Sequence, residues 1–151
     1  MSPDTLFAIA NYAVLPAWLL LLVLPHHRVT AVLVHAVWIP ALLAVPYMWA
    51  LFFGPPGPEG AGFGSLQGVM LLFQSPMAVL GGWIHYLAFD LFVGAWQVRD
   101  SRRLGINHWL VVPCLLATLM VGPVGLLLYA ILRLVTRQCW SLDESASVAA
   151  S

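Results

Sequence analysis

The sequence predicts an all-α integral membrane protein, a four-helix bundle with a short interfacial or re-entrant helix between spans two and three. Composition indicates the class, because 62% of the 151 residues are hydrophobic and only 8% are charged, whereas soluble domains carry roughly 25% charged residues. Four apolar stretches are each long enough to cross ~30 Å of hydrocarbon as a helix. The length suits one domain, and the formal net charge of zero gives no basic surface for nucleic acid.

The four spans are predicted at residues 4–24, 29–53, 76–97 and 107–134. Pro25 closes the first span, and Ser75 followed by Pro76 provides a cap and a proline at the first helical position of the third. The second and fourth spans contain prolines, each of which frees the carbonyl four residues earlier and kinks its helix. These internal prolines are Pro40, Pro46, Pro113 and Pro123.

Two segments outside the spans have distinct compositions. Residues 54–64 (GPPGPEGAGFG) are a loop by their glycine and proline content. Residues 65–74 (SLQGVMLLFQ) are apolar but too short to span, which predicts the interfacial or re-entrant helix. Residues 1–137 are therefore expected to form one transmembrane domain, and the polar residues 138–151 to form a disordered tail.

Arginine placement predicts the orientation, since cytoplasmic loops are enriched in basic residues. All the basic residues are Arg. The turns after spans one and three carry Arg28, Arg99, Arg102 and Arg103, against Arg133 and Arg137 at the end of span four. This count places both termini outside the cytoplasm.

The third span contains a carboxylate at membrane depth. Burying Asp90 there costs on the order of 3 kcal/mol on insertion scales, so such residues usually have a partner or a function. His85 lies five residues earlier and points about 140° away from Asp90 at 100° per residue. The pair is therefore not a metal clamp on one helix, but both side chains are expected to line one wide cavity from opposite edges. In the structural alternative, Asp90 pairs with an Arg at a helix boundary or with Asn11.

Four segments of the chain carry a family resemblance. They are NYAVLPAWLLLLVLP (11–25), WIHYLAFDLFVG (83–94), RDSRRLGINH (99–108) and GPVGLLLY (122–129). These segments resemble the membrane family of the plant neoxanthin-synthesis protein, which is named for an abscisic-acid-deficient mutant. The resemblance extends over about residues 5–134.

The resemblance implies a small multi-helix membrane protein tied to carotenoids, because the plant family is required to convert violaxanthin to neoxanthin. By motif position it singles out His85, Asp90, Asp100 and His108 without giving them roles. The expected partners are membrane lipid and a carotenoid or other hydrophobic polyene. No transit peptide is apparent in the sequence, so we expect a bacterial member in the inner membrane.

The conversion of violaxanthin to neoxanthin can proceed by acid/base catalysis. Converting an epoxide into an allenic alcohol involves no net redox change, but it needs an acid for the epoxide oxygen and a base for the polyene proton. Asp90 and His85 are the predicted acid and base, in either order, and no external cofactor is required. The predicted substrate-binding residues are Trp83, Tyr86, Phe89, Asn11 and Tyr12, with Asp100 and His108 in secondary roles.

Two other functions fit the same residues. Haem or iron held by His35, His85 and His108 would make the protein a carotenoid-cleaving oxygenase, since histidine is a common ligand of both. A non-catalytic carotenoid-binding or assembly factor would use Asp90 only to hold the bundle together. The oligomeric state is left open by the sequence.

Overall fold

The computed structural model describes residues 2–36 and 38–142. This part of the chain forms helices joined by turns and loops, which confirms the predicted all-α fold. The helices are α1 (Pro3–Val23), α2 (Arg28–Leu33), α3 (Trp38–Phe53), α4 (Leu66–Leu72), α5 (Pro76–Arg103) and α6 (His108–Arg137). By length and composition, four segments are able to cross a membrane: α1, α2 with α3, α5 and α6. The protein is therefore an integral membrane helical bundle.

The second span is divided between α2 and α3. The predicted kink at Pro40 is replaced by the start of a helix, because α3 begins at Trp38. Pro40 thus lies in the first helical turn, where a missing N–H costs nothing. α4 is the short apolar helix predicted before the third span, and the Ser65 hydroxyl oxygen accepts a hydrogen bond of 3.0 Å from the Gly68 N–H at its start.

Helix α5 lies at the centre of the bundle and packs against α1, α3 and α6. Its contact with α1 is close, because Trp18 fills the space beside Gly94. A Cβ atom on Gly94 would lie 2.7 Å from Trp18 Cη2, so a larger residue would force the helices apart. The contact also buries apolar residues of both helices: Val14, Ala17, Leu21, Leu91 and Ala95.

Helix α6 is broken near its middle. The backbone leaves helical geometry at Val121 (φ −148°, ψ 50°) and Gly122 (φ 1°, ψ −75°). Pro123 follows and has no N–H to continue the helical bonding. The break divides α6 into α6a, residues 108–120, and α6b, residues 123–137.

The two halves of α6 fold back on each other. The Arg137 guanidinium donates a hydrogen bond to the carbonyl oxygen of Gly105, just before α6a. A straight helix would separate these residues by more than roughly 40 Å at 1.5 Å per residue. Across the turn, a Cβ atom on Gly125 would overlap with the backbone of Thr118. Each half is only about 20 Å long, so α6 is a helical hairpin whose two ends lie at the same end of the bundle. In a bilayer, a hairpin of this length is re-entrant.

The hairpin corrects the prediction of a fourth span over residues 107–134. The sequence indicates a kink at Gly122 and Pro123, whereas the structure reverses the chain direction there. The start of the predicted tail contacts the hairpin. Arg133 Nη2 donates to the Ser141 carbonyl oxygen at 2.8 Å and to Cys139 Sγ at 3.5 Å. Residues 143–151 of the predicted tail lie outside the described residues.

The hairpin also corrects the predicted orientation. The end of α1 and the start of α6a are adjacent, since His108 Nε2 lies 3.0 Å from the Leu22 carbonyl oxygen. We call this end of the bundle the arginine end, because it carries all the arginines: Arg28, Arg99, Arg102, Arg103, Arg133 and Arg137. Helix α1 starts at the opposite end and α6b finishes at the arginine end, so the prediction that both termini share a side is wrong. The arginine bias now favours a cytoplasmic C-terminus.

Candidate functional site

Asp90 lies at the tip of the hairpin. It is only 9% exposed, and its carboxyl group touches Gly122 so closely that a Cβ atom on Gly122 would overlap with Oδ1. Gly122 immediately precedes α6b, where unpaired N–H groups and the helix macrodipole favour a negative charge. Oδ2 is buried without a hydrogen-bond partner among the described residues. The arrangement explains why a glycine stands at the break.

Tyr86 holds the same tip. Pro123 cannot donate to the Leu119 carbonyl four residues earlier, and the Tyr86 hydroxyl donates to that oxygen instead, at 3.2 Å. Tyr86 also interacts with the Asp90 carboxyl group, which lies one turn further along α5. The two side chains therefore compensate for the broken backbone of α6, as membrane burial requires.

A buried polar network continues along the hairpin. Gln97 Nε2 donates to Thr118 Oγ1 at 3.0 Å and to the Gly125 carbonyl oxygen at 3.2 Å, so one side chain joins both halves of α6. The Thr118 hydroxyl donates to the Cys114 carbonyl oxygen at 2.8 Å. Gln97 is not among the predicted site residues, although its spacing of seven residues from Asp90 places both on one helix face.

Asp100 anchors the base of the hairpin. This buried carboxylate lies 2.8 Å from Arg103 Nη2 and 2.9 Å from Arg133 Nε, and it accepts a hydrogen bond of 2.8 Å from the Tyr129 hydroxyl. The Arg133 guanidinium also lies 5.7 Å from the centre of the Trp96 ring. Asp100 is thus committed to packing α6b on α5.

His85 occupies a different face of α5. Its ring stacks on Phe89 with centroids 4.4 Å apart and lies 5.9 Å from the Tyr47 ring on α3. These side chains line a groove between α3 and α5, with a cavity of about 530 Å³. The other lining residues are apolar and include Pro40, Leu43, Met48, Ile84 and Phe92. His85 and Tyr47 are therefore the two proton-active side chains of this groove.

The structure separates the predicted acid from the predicted base. Asp90 faces α6, whereas His85 faces α3. The expectation that both side chains line one cavity is wrong, although the 140° angle between them was a correct indication of different faces. An inserted hairpin now occupies the Asp90 side of α5.

The predicted substrate-binding residues are also divided. Phe89 lies in the groove with His85, but Trp83 Nε1 donates to Asn11 Oδ1 at 3.2 Å in the contact between α1 and α5. Asn11 therefore pairs with Trp83, and its amide nitrogen donates to the Phe7 carbonyl oxygen at 2.7 Å. Tyr12 is 72% exposed on α1, outside the groove lining.

The three histidines considered as metal or haem ligands do not converge. His35 Nε2 lies 3.3 Å from the Pro25 carbonyl oxygen, and His108 contacts the end of α1 as described above. His35 also interacts with Arg99, which is about 20 Å from His85 along α5 at 1.5 Å per residue. Within residues 2–36 and 38–142, no group of three or more His, Cys, Asp or Glu side chains is arranged to hold a metal ion.

Comparison with known protein families identifies the chain. A family model described as ABA DEFICIENT 4-like matches residues 5–129. The chain belongs to this family. The ABA DEFICIENT 4-like family is linked to carotenoid- and neoxanthin-related membrane proteins, and the matched range contains the groove and the hairpin tip. No curated protein and no solved structure matches the chain.

Proposed function

We propose that this protein binds a carotenoid or related polyene in the groove between α3 and α5 and isomerises it by acid/base chemistry. The observation that carries the proposal is one imidazole, His85, set in an aromatic and apolar groove. The family membership supports a carotenoid or related polyene as the substrate class. We further propose that the protein acts in a bacterial inner membrane.

The groove suits a ligand dissolved in the bilayer. Its cavity of about 530 Å³ lies within the usual range of roughly 300–1,000 Å³ for small-molecule sites. Phe89 and Phe92 are 58% and 43% exposed on the membrane-facing surface. A polyene can therefore enter sideways from the lipid, place its end ring beside His85 and leave the rest of its chain along the helices.

The isomerisation of an epoxide to an allenic alcohol follows from two proton transfers. The His85 imidazole removes the proton from the polyene carbon next to the epoxide. The electron pair of that C–H bond forms a new C=C bond, the epoxide C–O bond breaks, and the oxygen takes up a proton. The Tyr47 hydroxyl or the imidazolium formed at His85 supplies this proton, so the reaction balances without an external cofactor.

This scheme assigns Asp90 a positioning role in place of the predicted acid. Asp90 holds the hairpin tip against α5, and its carboxyl group faces α6 and not the groove. Its effect on the reaction is then indirect, through the position of α5.

A non-catalytic carotenoid-binding protein is the second candidate. It is favoured by the small number of polar groups in the groove, where only His85 and Tyr47 are proton-active. The oxygenase hypothesis is less well supported, since His35, His85 and His108 do not form a shared ligand set.

Purified protein in mild detergent tests the proposal. We expect wild-type protein to show polyene absorption bands after incubation with a xanthophyll epoxide and to produce an isomer of the same mass on chromatography. Ala44→Trp should fill the groove and abolish binding. His85→Gln should retain binding and lose at least ~100-fold in rate, the low end for general acid/base catalysis.

Matched controls separate the two candidates. Tyr47→Phe removes a hydroxyl in the groove, and Tyr12→Phe removes one on the exposed face of α1. We expect only the first to change the rate. Binding without any product in wild-type protein would contradict the isomerase and support the carrier, whereas unchanged binding by Ala44→Trp would contradict the groove itself.

A further inference from the structure

Basic side chains from three parts of the chain gather at the arginine end. They are Arg99 and Arg102 on α5, His108 at the start of α6a, and His26 and His35 in the segments that flank α2. The His26 and His108 rings lie 6.1 Å apart. His35 interacts with His26, Arg99 and Arg102. We call these five residues the basic cluster, and we propose that it binds a phosphate-type anion.

Three buried nitrogen atoms of the basic cluster have no hydrogen-bond partner among the described residues: Arg99 Nη1, His35 Nδ1 and His108 Nδ1. Each histidine already uses Nε2 as a donor to a carbonyl oxygen, of Pro25 or of Leu22. Once protonated, each imidazole would therefore offer Nδ1 as a second donor. A buried donor without an acceptor is costly, and an anion would satisfy Arg99 Nη1 and could also accept from the Nδ1–H of a protonated imidazole.

The cluster lacks a carboxylate of its own in the described part of the chain. The electrostatic neighbours of His26 and His35 are all basic. The nearest acid along α5 is Asp100, which is committed to Arg103, Arg133 and Tyr129. Burial, the Arg102 guanidinium and His108 lower the pKa of His26, in that order of effect. A bound anion would relieve the part of this effect that comes from repulsion by Arg102 and His108.

The position of the cluster indicates where the anion comes from. All six arginines lie at this end, which the basic bias places in the cytoplasmic headgroup region. Basic pockets between helices at this depth bind the phosphates of anionic lipids. The same chemistry would accept free inorganic phosphate, so the source is decided by experiment.

Lipid binding to the full chain tests the inference. Native mass spectrometry in mild detergent would compare phosphatidylglycerol, which carries a net negative charge, with zwitterionic phosphatidylcholine. We expect wild-type protein to retain phosphatidylglycerol preferentially. Arg99→Gln should weaken this binding about tenfold, as expected for the loss of one charge-assisted hydrogen bond. Arg28→Gln is the matched control, because Arg28 is exposed at the same end and outside the cluster, and it should bind as wild type does.

A second measurement keeps the test valid if Arg99→Gln fails to fold. NMR titration of wild-type protein should show the pKa of His26 rising when phosphatidylglycerol is added. Competition by millimolar inorganic phosphate would identify a free anion as the ligand, and a response to the lipid alone would identify a headgroup. Equal binding of both lipids with no effect of inorganic phosphate, or unchanged binding by Arg99→Gln, would overturn the proposal.

The paired variant Asp143→Asn/Glu144→Gln gives a further check on the occupant of the basic cluster. If phosphatidylglycerol bound only to this variant and not to wild-type protein, the tail carboxylates would be the normal occupant, and the proposal would be overturned.

Discussion

Replacing Gly122 by alanine tests the contact at the hairpin tip. The added Cβ atom would overlap with Oδ1 of Asp90, so either the carboxyl group or α6 must move. Overpacking of this kind typically costs about 1–3 kcal/mol. We expect Gly122→Ala to lower the free energy of unfolding by about 2 kcal/mol.

A double-mutant cycle shows whether Asp90 causes this cost. Asp90→Ala removes the overlapping atoms, so Gly122→Ala should be much less destabilising in that background, with a coupling energy of at least ~1 kcal/mol. Thermal or detergent-induced unfolding provides the measurement. Gly62→Ala is the matched control, since a Cβ atom there meets nothing within 4 Å. If Gly122→Ala were as mild as Gly62→Ala, or if the two tip substitutions were additive, the described contact would be refuted.

Three further predictions concern the arginine end, the base of the hairpin and the roles of the two ionisable residues of the third span. A reporter that is active only in the cytoplasm should be active when fused to the C-terminus and silent at the N-terminus; a silent C-terminal fusion would rule out the hairpin orientation. Asp100→Asn should lower stability by about 3–5 kcal/mol, because it leaves Arg133 buried without its charge partner, and a loss below ~1 kcal/mol in thermal unfolding would argue against this ion pair. Asp90→Asn should keep most of the isomerase activity while His85→Gln does not, so a loss of at least ~100-fold in Asp90→Asn with unchanged melting temperature would return Asp90 to acid catalysis.

The helices were predictable from sequence, but the path of α6 was not. Hydropathy identifies apolar segments that are long enough to span a membrane, and both halves of α6 are apolar. The two halves together therefore look like one span. Gly122 and Pro123 signal a break without giving its angle. A kink and a reversal of direction differ only in tertiary contacts, here those of Gln97 with Thr118 and Gly125.

The candidate site was predicted in part. The cost of a buried carboxylate correctly marked Asp90 as a residue with a tertiary role. Its neighbour could not be identified, because Gly122 has no side chain to signal a contact. Asp100 pairs with Arg103 of the same helical turn, a contact between residues close in sequence. The second partner, Arg133, reaches Asp100 only because α6b returns to the end where α6 began.

The re-entrant hairpin gives the protein a different width in each leaflet of the bilayer. Near the arginine end, a section through the bundle crosses α1, the second span, α5 and both halves of α6. Near the other end, α6 is missing and the section crosses α1, α3 and α5, with the short α4 beside the start of α5. Each helix displaces a cylinder of about 10–12 Å diameter, so the protein is a wedge that takes up more area in one leaflet than in the other. Such a shape fits best in a membrane that curves toward the narrow end of the protein. It also couples the packing of the bundle to the lateral pressure of the surrounding lipid.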